Sequence, residues 1–166
     1  MSAARLVVDE GALRLDACNS MDFCSILEER GYLEGGVVYP LEAAYQASRG
    51  RVEIVAGDKI LTGWEAFFYI IGMFRVQLKV AIAYRILRSK YSEVKLWTRP
   101  STLVARRRSG RTVEVLVLEE GESIKVADLA EWSTAAVKDG HDPVVAIVDR
   151  NGQVTFYEAR SVTQIV

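Results

Sequence analysis

The sequence predicts an α+β protein in two parts, and three observations carry the prediction. Apolar residues recur at helical spacing in four stretches, short runs of Val, Ile and Leu bounded by Gly, Asp and Asn lie between them, and the pattern changes from Val94 onward. Residues 1–87 read as a small N-terminal mixed α+β domain, and residues 88–166 as a C-terminal mixed β-sheet domain with one main helix. Half of the 166 residues are hydrophobic, enough for a substantial core and too many for a disordered chain.

Arg5 to Leu15 reads as two strands around Asp9-Glu10-Gly11, where glycine permits a tight turn. Ser20 then caps a helix from Met21 to Arg30, with Phe23, Ile26 and Leu27 on one face and Gly31 at its end. Val37 to Tyr39 is a short strand. Pro40 suits the first turn of the next helix, Leu41 to Arg49, which presents Leu41, Ala44 and Tyr45 and stops at Gly50. Val52, Ile54 and Ile60 mark a further strand and its return. Thr62 caps a helical region that starts near Trp64 and continues through Val76, Val80, Ala83, Tyr84 and Leu87 to Arg88, with Gly72 as its point of weakness.

Alternating β-branched residues follow from Val94. Leu103 to Arg106 and Val113 to Leu118 form two antiparallel strands joined through Ser109-Gly110. A helix from Val126 to Val137 turns Leu129, Trp132, Ala136 and Val137 inward and ends at Asp139-Gly140. Val144 to Val148 is almost wholly apolar, as befits a strand covered on both faces, and Asp149-Arg150-Asn151-Gly152 turns it into Val154 to Tyr157. Val162 to Val166 is the last strand expected.

The function classes excluded are many. The apolar stretch Trp64 to Tyr84 is interrupted by Glu65, Arg75, Gln77 and Lys79, so it is a buried helix and no membrane span. Met1 to Arg5 runs straight into Leu-Val-Val without the pattern of a secretory signal, and a cytoplasmic location is expected. Cys18 and Cys24 are too few for a disulfide framework or a zinc site, and read as small, partly buried hydrophobes. No phosphate-binding glycine loop, dinucleotide fingerprint, serine elbow or pair of metal ligands occurs, so neither a cofactor nor a metal is expected.

With 22 acidic and 21 basic residues the whole-molecule field steers nothing, and any nucleic-acid binding must come from a local patch. One exists. Lys95, Arg99, Arg106, Arg107, Arg108 and Arg111 lie between Val94 and Val113 with no acidic residue among them, beside the flat ring of Trp97. Such a run either holds phosphates or is a solvated hairpin whose arginines pair with carboxylates elsewhere. Glu119, Glu120 and Glu122 form the opposite feature, an acidic turn that either stays wet or docks into a basic pocket of another subunit. His141 is the sole histidine; next to Asp142, it reads as a loop residue after a helix end more readily than as a catalyst without a partner.

Tyr84-Arg85-Ile86-Leu87-Arg88-Ser89-Lys90 followed by Val94-Lys95 resembles the archaeal-type tRNA-splicing (tRNA-intron) endonuclease family. Val145-Ala146-Ile147-Val148-Asp149 with Asn151-Gly152, Val154-Thr155 and Tyr157-Glu158 resembles that family's closing hairpin, and Leu41-Glu42-Ala43-Ala44-Tyr45 with Gly50 is similar to a short helix of its N-terminal domain. The resemblance implies a restriction-endonuclease-like C-terminal domain and a Tyr, His and Lys set. That set cleaves RNA without metal through the ribose 2′-hydroxyl, leaving a 2′,3′-cyclic phosphate and a 5′-hydroxyl.

The chain departs from the set at every position. Ala105 stands where the Tyr would be, the His position falls between Ser109 and Arg111, and the Lys position falls on or near His141. The resemblance therefore implies the structural, non-catalytic subunit of a heterotetramer, inactive alone, with a catalytic subunit and precursor tRNA as partners. Arg99, Arg106, Arg107, Arg108 and Arg111 are the RNA-binding candidates. Glu119, Glu120 and Glu122 are interface candidates because the resemblance implies an acidic loop docked into a neighbour's cleft, and Val162 and Ile165 because an apolar terminal strand presents an open sheet edge. Two alternatives stand beside this reading: an active endonuclease using His141 with Tyr91 or Tyr157, and a stand-alone RNA-binding protein.

Overall fold

A computed structural model describes residues 1–108 and 110–159. The expected strand Val162 to Val166, with the interface candidates Val162 and Ile165, lies outside the described residues. The chain divides into two compact units, Met1–Val76 and Gln77–Val166. Among the described residues no helix is long and apolar enough to cross a membrane.

The first unit is built on a mixed sheet. Strands β1 (Ala4–Asp9) and β2 (Ala12–Cys18) form an antiparallel hairpin, and both turn residues, Glu10 and Gly11, are left-handed (φ 49° and 75°), the geometry that matches strand twist. The short strand expected at Val37 is β4 (Val37–Val38), and with β3 (Leu33–Glu34), which is too short to show in the pattern, it extends the sheet beyond β2. On the other side β5 (Val52–Ala56) runs parallel to β1, and β6 (Lys59–Leu61) returns antiparallel to it.

Helix α1 (Met21–Glu29) starts as expected, with the Ser20 hydroxyl accepting the Phe23 N–H at 3.4 Å. Its inner face differs. Cys24 is buried beside Phe23 and Leu27, while Ile26 is 42% exposed. Cys24 is joined to Cys18 at the end of β2 by a disulfide, which corrects the reading of the two cysteines as separate apolar side chains. Helix α2 (Pro40–Ser48) is buried from Leu41 through Ala47, on every side and not on one face only.

The long helical region is two helices. α3 (Gly63–Met73) ends after Gly72, Arg75 adopts a left-handed φ of 52°, and α4 (Leu78–Lys90) starts afresh. The division between the units falls in that break, earlier than the expected boundary after Leu87. The reason is packing: α4 buries Val80, Ala83, Tyr84 and Leu87, and it lies against the strands of the second unit.

The second unit has the order β11-β10-β9-β8-β7. β7 (Glu93–Leu96), β8 (Thr102–Arg106) and β9 (Thr112–Glu119) form an antiparallel meander. Helix α5 (Val126–Lys138) then crosses over so that β10 (Asp142–Val148) lies parallel to β9, and β11 (Val154–Glu158) closes a hairpin on β10. Leu116 and Leu118 cluster with Trp132 of α5 and Val145. Val115 and Val117 are buried too, and by the alternation of a strand they face the opposite side. Both faces of β9 are therefore covered, which explains its unbroken apolar run. On α5 the structure exchanges two expected positions: Ser133 is buried, its hydroxyl donating to the Ala159 carbonyl, and Val137 is 54% exposed.

Candidate functional site

Alternation along β9 decides where the site forms. Glu114 has the same parity as Leu116 and Leu118, so its carboxylate enters the face beneath α5, where it is fully buried. An isolated buried carboxylate is untenable without donors, and the surrounding loops supply them. Arg99, in the turn between β7 and β8, donates from Nη1 to Glu114 Oε1 at 2.7 Å and from Nη2 to Asp139 Oδ2 at 2.6 Å. Asp139 is the residue at the C-terminal end of α5. Left-handed Gly140 (φ 80°) then bends the chain so that His141 places Nδ1 3.0 Å from the same Glu114 Oε1.

Trp97 completes the wall, its ring edge-on to the His141 imidazole with centroids 5.2 Å apart. Glu114 Oε1 thus serves two partners while Glu114 Oε2, also buried, has none among the described residues. Hydrogen bonding from Arg99 holds the Asp139 carboxyl below its ordinary pKa, and the hydrogen bond to Asp139 raises that of Arg99. Of all groups of acidic, cysteine and histidine side chains among the described residues, Glu114, Asp139 and His141 are the set whose ligand atoms converge, within 4.8 Å of one another.

The register brings the positions named from the sequence to this same end of the sheet. Ala105 pairs with Val113, and Val113 pairs with Asp142, the neighbour of His141. Arg111, just before β9, points Nη1 at Asp142 Oδ1, 3.4 Å away. Asp142 therefore pairs with Arg111, and the carboxylate that orients His141 is Glu114. Tyr91 and Tyr157 are elsewhere: Tyr91 ends α4 beneath the Arg107 guanidinium, 5.0 Å from its ring centre, and Tyr157 is exposed on β11.

The arginine run is divided by its partners. Arg99 is sequestered in the buried cluster, Arg106 pairs with Glu93 at 3.1 Å and Arg111 with Asp142. Arg107 stacks on Tyr91, and Arg108 is exposed with no partner among the described residues. The acidic turn is divided as well. Glu122 receives the Lys79 ammonium at 2.8 and 3.0 Å and the Glu119 backbone N–H at 2.8 Å, so it organises its own turn. The Lys79 hydrogen bond, with that backbone contact, holds the Glu122 carboxyl below its ordinary pKa. Glu119 and Glu120 stay exposed and line an open groove of about 520 Å³ with Leu78, Ile82, Asp149 and Arg150.

Glu114 is the residue that reading for motifs misses. The signal available is a lone acid in Thr112-Val113-Glu114-Val115-Leu116-Val117-Leu118, in phase with the buried leucines.

Comparison with known proteins places a family on the first unit. Residues 1–73 match the family described as tRNA-intron endonuclease SEN2-like, N-terminal domain. No curated protein matches the chain.

Proposed function

We propose, for a chain whose residues 1–73 match the tRNA-intron endonuclease SEN2-like N-terminal domain, a structural subunit that supports assembly and RNA binding in a hetero-oligomeric, cytoplasmic tRNA-splicing endonuclease and does not itself cut. The observation that carries the reading is the chemistry at one end of the second sheet. The family resemblance puts a Tyr, a His and a Lys there, and this chain has Ala105, Arg111 and His141. Ala105 is a buried methyl that moves no proton, and the guanidinium of Arg111 offers hydrogen-bond donors but no acceptor for a proton. Cleavage through a 2′-hydroxyl needs one group to take its proton and another to protonate the leaving oxygen, and only His141 remains for either task.

The exposed guanidiniums of Arg106, Arg107, Arg108 and Arg111 are the part of the arginine run available to phosphates. Arg99 contributes only if it leaves Glu114 and Asp139. In the acidic turn, Glu119 and Glu120 meet the catalytic partner while Glu122 and Lys79 hold the turn's shape. Residues Val162 and Ile165 extend the proposed interface to the chain's end. The test is cleavage of a precursor tRNA by this chain, by a relative with the full Tyr, His and Lys set, and by the mixture. The mixture alone, or the mixture far above the relative, is expected to cut; cutting by this chain in isolation overturns the proposal.

A second reading, an active endonuclease with an atypical site, is favoured by one observation. A buried carboxylate on Nδ1 orients an imidazole for acid–base work through its other nitrogen, and Glu114 does this for His141. On that reading the isolated chain cuts, and His141→Ala abolishes the cut while Arg111→Ala does not.

A further inference from the structure

Glu114, Asp139 and His141 carry more chemistry than a structural subunit uses. A fully buried carboxylate is kept in a sheet whose neighbouring positions are apolar, and its Oε2 makes no hydrogen bond among the described residues. The Arg99 guanidinium brings one positive charge to two carboxylates that converge on the His141 imidazole. One nitrogen and two carboxylate groups, with a donor atom from each inside 4.8 Å, make the ligand set of a borderline-soft divalent ion.

We propose that Glu114, Asp139 and His141 form a binding site for a divalent transition-metal ion of the Zn²⁺ type, for which Arg99 is the built-in competitor. A divalent ion meets both carboxylate charges where the guanidinium meets one, and it gives Glu114 Oε2 a partner. Tetrahedral coordination at about 2 Å puts ligand atoms roughly 3.3 Å apart. Glu114 Oε1 and His141 Nδ1 already stand 3.0 Å apart. The remaining closure falls on Asp139, the exposed member at the end of α5, once its carboxylate leaves Arg99. Arg99 is partly exposed in a turn and can swing into water when the ion takes its place. Trp97 against the imidazole then acts as the apolar wall that limits water around the ion.

His141 is the sole histidine, so any metal-to-imidazole signature is assigned without ambiguity. The experiment uses the full chain, Zn²⁺ in calorimetry and Co²⁺ in visible absorption, with the His141 ring protons followed by NMR. One saturable equivalent is expected, with Co²⁺ bands and a paramagnetic shift at His141. His141→Ala and Asp139→Asn should each weaken binding about tenfold or more. Arg99→Ala should tighten it, because the competing cation is gone. If His141→Ala does not fold, Asp139→Asn at its exposed helix end decides. Absence of saturable binding, or an affinity indifferent to both ligand variants, overturns the site; an affinity indifferent to Arg99→Ala overturns the competition.

Discussion

The two ends of the parallel pair β9 and β10 handle charge in opposite ways. At the end where these strands begin, a fully buried Glu114 is surrounded by Arg99, His141 and, through Arg99, Asp139. At the end where they finish, the carboxylates of Glu119 and Glu120 stay in water beside a groove, and only Lys79, 10% exposed, is drawn inward to Glu122. The lesson concerns function as much as stability. A charge buried among fixed partners costs desolvation and is retained where its geometry is used; a charge left in water is cheap and suits a surface that meets other molecules.

The largest effect that tests the contrast comes from removing Glu114. Glu114→Ala leaves a guanidinium and an imidazole beside a cavity, with Asp139 as the one acceptor left to Arg99 among the described residues, and about 3 kcal/mol of stability should be lost. Urea unfolding followed by tryptophan fluorescence measures it, since Trp97 and Trp132 both belong to this unit. At the other end Glu122→Ala strands Lys79 at the rim of a groove that water can enter, and the loss should be about 1 kcal/mol. Equal losses at the two ends would erase the distinction between them.

Acid sharpens the comparison. Asp139 and Glu122 both have carboxyl pKa values held below their ordinary range, by Arg99 and by Lys79. A carboxylate lowered in the folded state contributes stability that is full above its unfolded pKa, near 4, and is lost as pH falls through the lower folded value. Stability should therefore decline below about pH 4 at both ends. Arg99→Met should remove the part of that decline due to Asp139, and Lys79→Met the part due to Glu122, as read from unfolding midpoints across a pH series. The smallest change expected is that of Arg106→Ala. Its pair with Glu93 is exposed, so stability should shift by less than about 0.5 kcal/mol. RNA affinity, on the function proposed above, should fall, with a salt slope shallower by about one unit for one lost phosphate contact.

Local signals in the sequence reach as far as local physics does. The Ser20 cap, Pro40 at the start of α2, the Glu10-Gly11 turn and the hairpin after Val148 depend on neighbours in the chain, and each is found where the residues put it. The break at Arg75 was only half visible, because Gly72 weakens a helix without dictating where the next one starts. The Cys18–Cys24 bond and the pairing of β3 with β4 depend on how α1 and its loop return to the sheet. The site lies furthest from the sequence. Arg99, Glu114, Asp139 and His141 come from a turn, a strand, a helix end and a loop, with no spacing that a motif would record, and only the crossover through α5 brings them together.

That crossover also sets an order of events when the second unit folds. The pairs β7 with β8, β8 with β9 and β10 with β11 each join strands that are close in sequence, and such hairpins close quickly. Val113 must instead find Asp142 across the whole of α5, and a loop of that length costs entropy before any contact rewards it. The step that aligns β10 on β9 is then the slow one, and it is the same step that delivers His141 to Glu114. Substitutions that loosen α5 or the early-forming β10–β11 turn should slow refolding, with little change in the unfolding rate.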